Sequence, residues 1–211
     1  KEEDIVVTSD GSAVVMTFQT FDVKHNQRLY SNSGSASMGY GLPASIGAAI
    51  DSDKNVYCIE GDGSIMMNLQ ELQTLIANNL NIKILLIENG GYLSIKQTQQ
   101  NFYDGNFIGC DENSGLPFPE FKNIFNSFGF NVFHVSKTKE LENTLDNFLK
   151  EEGPSVLIAS VDKNQTFSPK VSSKRNSQGV IRSAPLEDMF PFLDRDEFSS
   201  RMIIEEIDLE S

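Results

Sequence analysis

A carboxylate and a carboxamide follow the ends of two predicted neighbouring strands. Asp62 comes just past a predicted strand over residues 55–59, and Asn89 comes just past one over residues 82–87, with a helical pattern between them. Such a strand–helix–strand unit builds a parallel sheet, in which neighbouring strand tips lie only about 5 Å apart. Both side chains offer hard oxygen ligands, which suit Mg²⁺, an ion that also keeps water and phosphate oxygens. We therefore predict a metal site at the carboxyl edge of the sheet, where open α/β sheets bind ligands.

The glycines around Asp62 favour a phosphate as a further ligand of that metal. Gly61 and Gly63 allow the backbone to bend and to approach a phosphate closely, and the amides that open the next helix add a partial positive charge. The residues themselves thus predict a diphosphate held through a metal ion. The alternative is that Asp62 merely caps the following helix and that Asn89 belongs to a tight turn. Convergence of the two side chains favours the ligand interpretation.

These segments carry a resemblance to a known family. Residues 61–64 (GDGS), followed by Asn89 at a separation of 89 − 62 = 27 residues, closely resemble the fingerprint of thiamine-diphosphate (ThDP) enzymes. Residues 61–72 (GDGSIMMNLQEL) and 39–44 (GYGLPA) resemble two segments of the acetolactate synthase branch. The resemblance covers about residues 4–160, which correspond to one domain of that enzyme, its carboxyl-terminal cofactor-binding domain.

The resemblance implies roles for individual residues. Asp62, Asn89 and the backbone carbonyl of Gly91 would hold Mg²⁺ against the diphosphate. The carbonyl of Ala36 would face the aminopyrimidine, and Met38 would lie between the two rings of the cofactor. The residues that would contact ThDP are Gly11, Ser12, Ala36, Ser37, Met38, Gly61, Gly63, Ser64 and Tyr92.

The loop over residues 10–13 departs from the family. It has the sequence DGSA where the synthases usually carry Asp-Val-Gly-Gln-His. Gly11 and Ser12 could still contact the diphosphate through backbone groups, or the segment could be a plain turn.

The implied reaction is that of a carboligase. The resemblance implies decarboxylation of a 2-keto acid such as pyruvate and transfer of the two-carbon unit to an acceptor carbonyl. The family's catalytic Glu lies in a separate amino-terminal domain supplied by a neighbouring subunit, and no segment here resembles that domain. We therefore assign no catalytic residue to this chain, and we expect it to turn over little or nothing alone. FAD is expected only through a missing domain. The alternatives are a simple 2-keto-acid decarboxylase and a non-catalytic module that serves as a subunit interface.

Two residues bear on the acceptor. Thr98 stands where the family has an acceptor-selecting Trp, and Ser94 stands where it has a Met. Both differences open or polarise the acceptor pocket. Residues 95–99 (IKQTQ) and 185–189 (PLEDM) look more like acetolactate-synthase-like enzymes of surface-sugar biosynthesis, which use a keto-sugar as the acceptor.

Alternating strands and helices must position these residues. Strands are predicted over residues 4–9, 55–59, 82–87, 131–135 and 155–160, and helices over 13–21, 39–50, 68–77, 121–128 and 138–149. Residues 29–38 are predicted to be a loop, 92–102 a loop or a helix, and 104–119 irregular. This order predicts an α/β fold, a doubly wound parallel sheet flanked by helices. We place the ThDP- and Mg²⁺-binding domain at residues 1–161 and an extended acidic tail, packed on the domain or on a partner, at 162–211.

Composition and charge argue against several other classes of function. The formal net charge of −13 argues against a nucleic-acid or anionic-membrane surface, and two cysteines give no disulfide framework. A G-x-G-x-x-A pattern at residues 39–44, with Glu60 downstream, superficially fits a dinucleotide site, but no predicted strand precedes it. We expect a cytoplasmic homo-oligomer, a dimer or tetramer with the site at a subunit interface. Because the chain begins at Lys1, we interpret it as a fragment of a longer protein.

Overall fold

A six-stranded parallel sheet organises the larger part of the computed structural model, which describes residues 2–207. Its strands are β1 (Ile5–Thr8), β2 (Arg28–Tyr30), β3 (Val56–Gly61), β4 (Ile82–Glu88), β5 (Asn131–Val135) and β6 (Ser155–Ser160). They lie in the order β2-β1-β3-β4-β6-β5, and every pair is parallel. The carboxyl ends of β3 and β4 are therefore neighbours at the middle of one sheet edge.

Helices cover both faces of this sheet. They are α1 (Ser12–Thr20), α2 (Gly41–Ile50), α3 (Asp62–Ile65), α4 (Glu71–Ala77), α5 (Leu93–Phe102), α6 (Phe121–Ser127) and α7 (Thr138–Lys150), and a 3-10 turn spans Glu112–Ser114. Helices α2, α4 and α6 bury apolar side chains such as Leu42, Leu72 and Phe125 against one face. Helices α1 and α7 lie on the other. The predicted doubly wound α/β fold is confirmed.

Several predicted bounds differ from the structure: the helix predicted over residues 39–50 begins at Gly41, and the strand predicted over 55–59 extends to Gly61. The predicted loop over residues 29–38 is wrong at its start, because Arg28–Tyr30 forms the edge strand β2. The helix predicted over residues 68–77 begins three residues later, at Glu71. Asn68 is held outside the helix because its side-chain amide donates to Gly39 O at 2.8 Å.

Residues 166–207 form a second compact unit. It contains an antiparallel pair, β7 (Ser173–Arg175) with β8 (Ile181–Ser183), and helix α8 (Arg195–Arg201). Short elements thus occupy the segment 162–211 for which the sequence predicts an extended tail, and residues 208–211 lie outside the described residues. Asp188 is buried here, which raises its pKa, but hydrogen bonds from Arg195 and Lys174 outweigh burial and hold the pKa below its ordinary value. The packing of this unit on a partner stays a prediction.

Across residues 2–207, no helix combines the length and the apolar composition needed to cross a bilayer.

A buried lysine on the central strand β4 stabilises the end of α7. Lys83 Nζ donates to Phe148 O at 3.1 Å and to Glu151 O at 2.6 Å, and burial lowers its pKa. Carbonyls at a helix end have few partners within the helix, and Phe148 O accepts only a long bond from Glu151 N at 3.3 Å, so the ammonium group supplies a stronger donor. Lys83→Met should lower the free energy of unfolding by about 1–3 kcal/mol, the usual cost of an unsatisfied buried polar group.

Urea unfolding of the protein measures this loss. Lys139→Met is the matched control, because Lys139 lies exposed on α7. If both variants lose the same amount, the contacts of Lys83 do not stabilise the fold.

Candidate functional site

The structure brings Asp62 and Asn89 together at the carboxyl edge of the sheet. Gly61 pairs with Ile87 in the β3–β4 register, so the strands β3 and β4 leave the sheet at nearly the same level. The backbone N–H of Asn89 donates to Asp62 Oδ2 at 3.0 Å. The two residues are thus in direct contact although 27 positions separate them.

The carboxylate of Asp62 is enclosed by backbone amides. Its Oδ2 also accepts from Gly90 N at 2.6 Å and from Gly91 N at 3.2 Å, while Oδ1 accepts from Gly63 N at 2.7 Å. Burial raises the pKa of Asp62 to about 6, and these amide hydrogen bonds oppose the increase. Most of the amides come from the loop after β4, so helix capping does not account for the arrangement.

The carboxamide of Asn89 shows how a cation would fit. One of its terminal atoms lies 2.7 Å from Gly91 O and 3.2 Å from Asp62 Oδ1, and the other lies 2.9 Å from the hydroxyl of Ser12. Either the NH₂ group faces the two oxygens and donates to both, or the carboxamide oxygen faces them. In the second orientation three oxygens converge with no proton between them.

The spacing of these oxygens fits Mg²⁺. Oxygens in adjacent octahedral positions around this ion lie about 2.9 Å apart, since each lies about 2.0–2.1 Å from it. The 2.7 and 3.2 Å separations agree with that value. Among residues 2–207 no group of three or more His, Cys, Asp or Glu could hold a metal. The site that fits here instead combines one carboxylate, one carboxamide and one carbonyl.

A cavity of about 150 Å³ opens beside these oxygens. Its lining includes most of the residues that the sequence predicts for the cofactor: Gly11, Ser12, Met38, Gly61, Gly63, Ser64 and Tyr92, together with Asp62, Asn89, Gly91 and Ser94. Ala36 and Ser37 line a second cavity of about 200 Å³. Asp10 lines both cavities, so the second lies next to the first.

The ring of Tyr92 lies against Gly63. A Cβ at Gly63 would come within 2.3 Å of Tyr92 Cε1, so any larger residue would displace the ring. The phenol oxygen donates to Gly63 O at 3.4 Å, and burial together with the charge of Asp62 raises the pKa of Tyr92. Gly63 N is bonded to Asp62, so a phosphate would have to share this amide.

The segment before α2 is strained and tied to the same site. Ala36 has φ +48°, a value that residues with a Cβ seldom adopt, and such strain is concentrated at functional sites. Its N–H donates to Asn32 O at 2.7 Å. Three residues later, Gly39 N donates to the Ser64 hydroxyl at 2.8 Å. The hydroxyl of Ser64 therefore fixes the neighbouring loop.

Comparison with known families agrees with this site. Residues 10–159 match the family described as "Thiamine pyrophosphate enzyme, C-terminal TPP binding domain", where thiamine pyrophosphate (TPP) is ThDP. The chain belongs to this family. The matched region holds β3, β4 and every residue predicted to contact the metal or the cofactor.

Similar proteins are large subunits of acetolactate synthases. The chain is 34% identical to "Acetolactate synthase isozyme 2 large subunit" of Escherichia coli (strain K12) over 173 residues, 81% of this chain and 31% of that protein. It is 37% identical to "Acetolactate synthase large subunit" of Cyanidium caldarium over 150 residues, 70% of this chain and 25% of that protein. For the protein of that name in Porphyra purpurea the identity is 34% over 186 residues, 87% and 31%. The chain thus spans less than a third of these relatives.

The two predicted acceptor residues of this TPP-binding domain take different positions. Ser94, in the first turn of α5, lines the main cavity. Thr98 lies one turn further along α5 and lines neither cavity. It is exposed, and its hydroxyl donates to Ser94 O at 3.0 Å, so it is engaged within the helix.

Sequence reasoning missed a clamp on the Asn89–Gly91 loop. Gly91 pairs with Asp111 in an isolated antiparallel bridge, and Tyr92 N donates to Cys110 O at 2.8 Å. Asp111 is held in turn by Lys96 Nζ at 2.8 Å, whose hydrogen bond lowers the pKa of Asp111. The clamp lies in the predicted irregular stretch 104–119, where no periodic pattern marks it.

A buried acid beneath the site, Glu60, was also not predicted from the sequence. Glu60, the next-to-last residue of β3, is 0% exposed, and its Oε1 accepts from Leu42 N at 3.0 Å. Burial raises the pKa of Glu60 to about 7, and hydrogen bonding by Ser9 and Ser64 opposes the increase. In the sequence, Glu60 stands out only as part of the rejected dinucleotide pattern.

Proposed function

We propose that this chain is the diphosphate- and Mg²⁺-binding domain of a ThDP-dependent carboligase. The whole enzyme would decarboxylate a 2-keto acid such as pyruvate and transfer the two-carbon unit to an acceptor carbonyl. The observation that carries the proposal is the convergence of the Asp62 carboxylate, the Asn89 carboxamide and the Gly91 carbonyl beside a cavity lined by the predicted cofactor residues. Similarity to acetolactate synthase large subunits supports the reaction class.

In this proposal the residues of this chain bind the cofactor and hold it in position. Asp62, Asn89 and Gly91 O would hold Mg²⁺, and the ion would offset the negative charge of the diphosphate. Gly11, Ser12 and the residues 61–64 border the diphosphate, and Ala36 to Met38 border the rings. When bound, ThDP supplies the electron sink that decarboxylation of a 2-keto acid requires. The domain fixes its position and excludes water from one side.

The remainder of the enzyme supplies what this chain lacks. We expect the catalytic Glu in a separate domain of a neighbouring subunit, so the site would be completed in a homo-oligomer, a dimer or tetramer. The chain spans less than a third of the relatives it matches, which leaves room for such a domain. A cytoplasmic location, FAD in a missing domain, and inactivity of the chain alone are parts of the same proposal.

ThDP with Mg²⁺ should raise the melting temperature of this chain only slightly, because half of the cofactor pocket is absent. At a free ThDP concentration near the Kd, linkage stabilises the fold by about 0.4 kcal/mol. Differential scanning calorimetry with ThDP and Mg²⁺, with ThDP and a chelator, and with NAD measures the effect. A shift that persists under chelation, or that NAD produces equally, would contradict the proposal.

We further propose that the acceptor is a polar carbonyl compound such as a keto-sugar. Ser94 lines the cavity with a small polar side chain, and Thr98 places no large apolar surface beside it. In the full-length enzyme, Thr98→Trp should depress use of a keto-sugar and spare pyruvate decarboxylation. Thr98 itself lines neither cavity, so the expected effect comes from the added indole, which would lie over Ser94 one helical turn away; a change equal to one good pocket interaction alters specificity by about 10- to 200-fold.

Competition between pyruvate and a keto-sugar as acceptors measures this change. Thr144→Trp is the matched control, since Thr144 is half-buried on α7, away from both cavities, and its hydroxyl also donates to the carbonyl four residues earlier. If the wild type makes acetolactate efficiently and ignores the sugar, plain acetolactate synthase replaces this proposal. Aldehyde as the main product would indicate a decarboxylase.

A further inference from the structure

A carboxylate from the sheet caps the helix that follows the Ala36–Met38 segment. Helix α2 begins at Gly41, and its N-cap residue, Tyr40, makes no side-chain cap hydrogen bond within the described chain. Glu60 Oε1, on β3, instead accepts from Leu42 N at 3.0 Å. The first amides of a helix lack intrahelical acceptors, and a negative charge near them is favourable. Glu60 therefore anchors the start of α2 from 18 residues away.

Two serine hydroxyls, those of Ser9 and Ser64, lie near the carboxyl group of Glu60. Glu60 Oε2 is fully buried and forms no hydrogen bond of good geometry within residues 2–207. Ser9 and Ser64 lie near enough to act on the carboxyl group, and their own hydroxyl oxygens are 2.6 Å apart. One hydroxyl proton lies between the two serines, so one remains for another acceptor. The carboxyl group of Glu60 is the acceptor that this geometry offers.

This cluster connects the segments that border the two cavities. Ser9 directly precedes the loop at residues 10–12, and Ser64 belongs to the turn at residues 61–64. The Ser64 hydroxyl also accepts from Gly39 N at 2.8 Å, which holds the end of the segment that contains Met38. Three loops that are far apart in sequence thus meet at the Ser64 hydroxyl, which is bonded to Ser9 and to Gly39 N, and the loop before α2 is also bonded to Glu60 through Leu42 N.

The backbone of α2 lies directly on the carboxyl group. A Cβ at Gly41 would come within 2.5 Å of Glu60 Oε1 and 3.1 Å of Ser9 Cβ. Glu60 is fully enclosed, so neither partner can move aside without cost. Gly41 and Glu60 therefore form a matched pair.

We propose that Glu60 is a positioning residue that sets the cofactor-binding loops, residues 9–12, 36–42 and 61–64, in their binding arrangement before the cofactor arrives. The inference rests on the proposed ThDP-binding function and adds a residue outside the cavity lining. Loops that are already ordered lose less conformational entropy on binding, so the benefit is seen as affinity. Glu60 does not touch the metal site in this arrangement, and its effect passes through Leu42, Ser9 and Ser64.

Two substitutions at Glu60 separate hydrogen bonding from packing. Glu60→Gln keeps an acceptor for Leu42 N, and the serine hydroxyls can reorient toward its NH₂ group. Glu60→Leu fills similar space but leaves Leu42 N and a serine hydroxyl without the acceptor. In the full-length protein, Glu60→Leu should weaken ThDP binding about 10- to 100-fold, as loss of a supporting hydrogen-bond partner does at metal sites. Glu60→Gln should bind close to the wild-type affinity.

Two measurements are needed. Calorimetric titration with ThDP at saturating Mg²⁺ gives the Kd, and hydrogen exchange without cofactor follows the amides of Gly39 and Leu42. Both amides should exchange faster in Glu60→Leu and at the wild-type rate in Glu60→Gln. Gly41→Ala should reproduce the loss in Glu60→Leu. Gly47→Ala is its matched control, because it lies in the same helix and its Cβ would meet nothing within 4 Å.

The outcomes separate the two proposals. If wild type does not bind ThDP, the proposed function fails, and hydrogen exchange without cofactor still tests whether Glu60 orders the loops. If wild type binds and Glu60→Leu binds equally well, the inference about Glu60 is overturned. It is also overturned if Glu60→Gln loses as much affinity as Glu60→Leu, because rescue by the conservative variant is then absent.

Discussion

Replacing Asp62 with alanine should abolish Mg²⁺-dependent binding of ThDP. The Asp62 carboxylate is the one formal charge in the proposed ligand set, since Asn89 and Gly91 contribute neutral oxygens. Loss of a supporting residue around a metal costs about 10- to 100-fold in affinity, so loss of the charged ligand should cost at least about 100-fold. Calorimetric titration of the full-length protein with ThDP, with and without Mg²⁺, measures the change.

A second role of Asp62 has to be separated from the first. Its carboxylate accepts four backbone N–H groups, including three from residues 89–91, so alanine would also loosen that loop. Asp62→Asn keeps the volume and one acceptor oxygen, and should lose Mg²⁺ dependence with a smaller loss of stability. Asp4→Ala is the control, because Asp4 is also buried but lies at the amino end of β1. Unchanged ThDP affinity in both Asp62 variants would leave the metal assignment without support.

The central part of the fold could be predicted from the sequence because its strands are buried. Parallel strands covered on both faces give continuous apolar runs, which have an unmistakable pattern. The strand β6 begins and ends at the predicted residues, and β4 extends one residue further, to Glu88. The edge strand β5 also has the predicted bounds, although Val135 is its one buried residue. These runs, with helical patterns between them, were sufficient to predict the α/β fold.

The edges of the fold follow rules that a local pattern does not contain. Strand β2 has three residues, Arg28–Tyr30, and it lies in a polar stretch. None of the three is buried, so neither the length nor an apolar pattern indicates a strand there. It exists because Ile5 to Val7 offer an open edge to pair with. The delayed start of α4 has a similar cause, since Asn68 bonds to Gly39, 29 residues earlier.

The candidate site also has one part that could be predicted from the sequence and one part that could not. Asp62 and Asn89 could be predicted to meet, because the ends of neighbouring parallel strands share one edge. The role of Glu60 could not be predicted, because its partners Leu42, Ser9 and Ser64 come from separate segments. An acid next to a strand end is usually solvated, and only the packing of α2 against β3 shows that this one is enclosed.

Gly91→Ala should both destabilise the fold and weaken cofactor binding. Gly91 has φ +141°, and a Cβ there would come within 2.2 Å of Cys110 O. That carbonyl cannot retreat easily, because it accepts from Tyr92 N at 2.8 Å while Lys96 holds the adjacent Asp111. Backbone strain and overpacking each cost about 1–3 kcal/mol, so we expect a loss of about 2–6 kcal/mol. The carbonyl of Gly91 would shift with the loop, and ThDP affinity should fall with it.

Gly129→Ala separates these two costs. Gly129 has φ +86° but its Cβ would meet nothing within 4 Å, so alanine there introduces backbone strain without a collision. It lies after α6, away from the residues that line either cavity. Chemical unfolding should therefore show a loss of about 1–3 kcal/mol for Gly129→Ala and a larger one for Gly91→Ala. ThDP affinity should be unchanged in the former. Equal losses of stability would mean that the Cys110 clamp yields at little cost, and unchanged affinity in Gly91→Ala would remove its carbonyl from the proposed metal ligands.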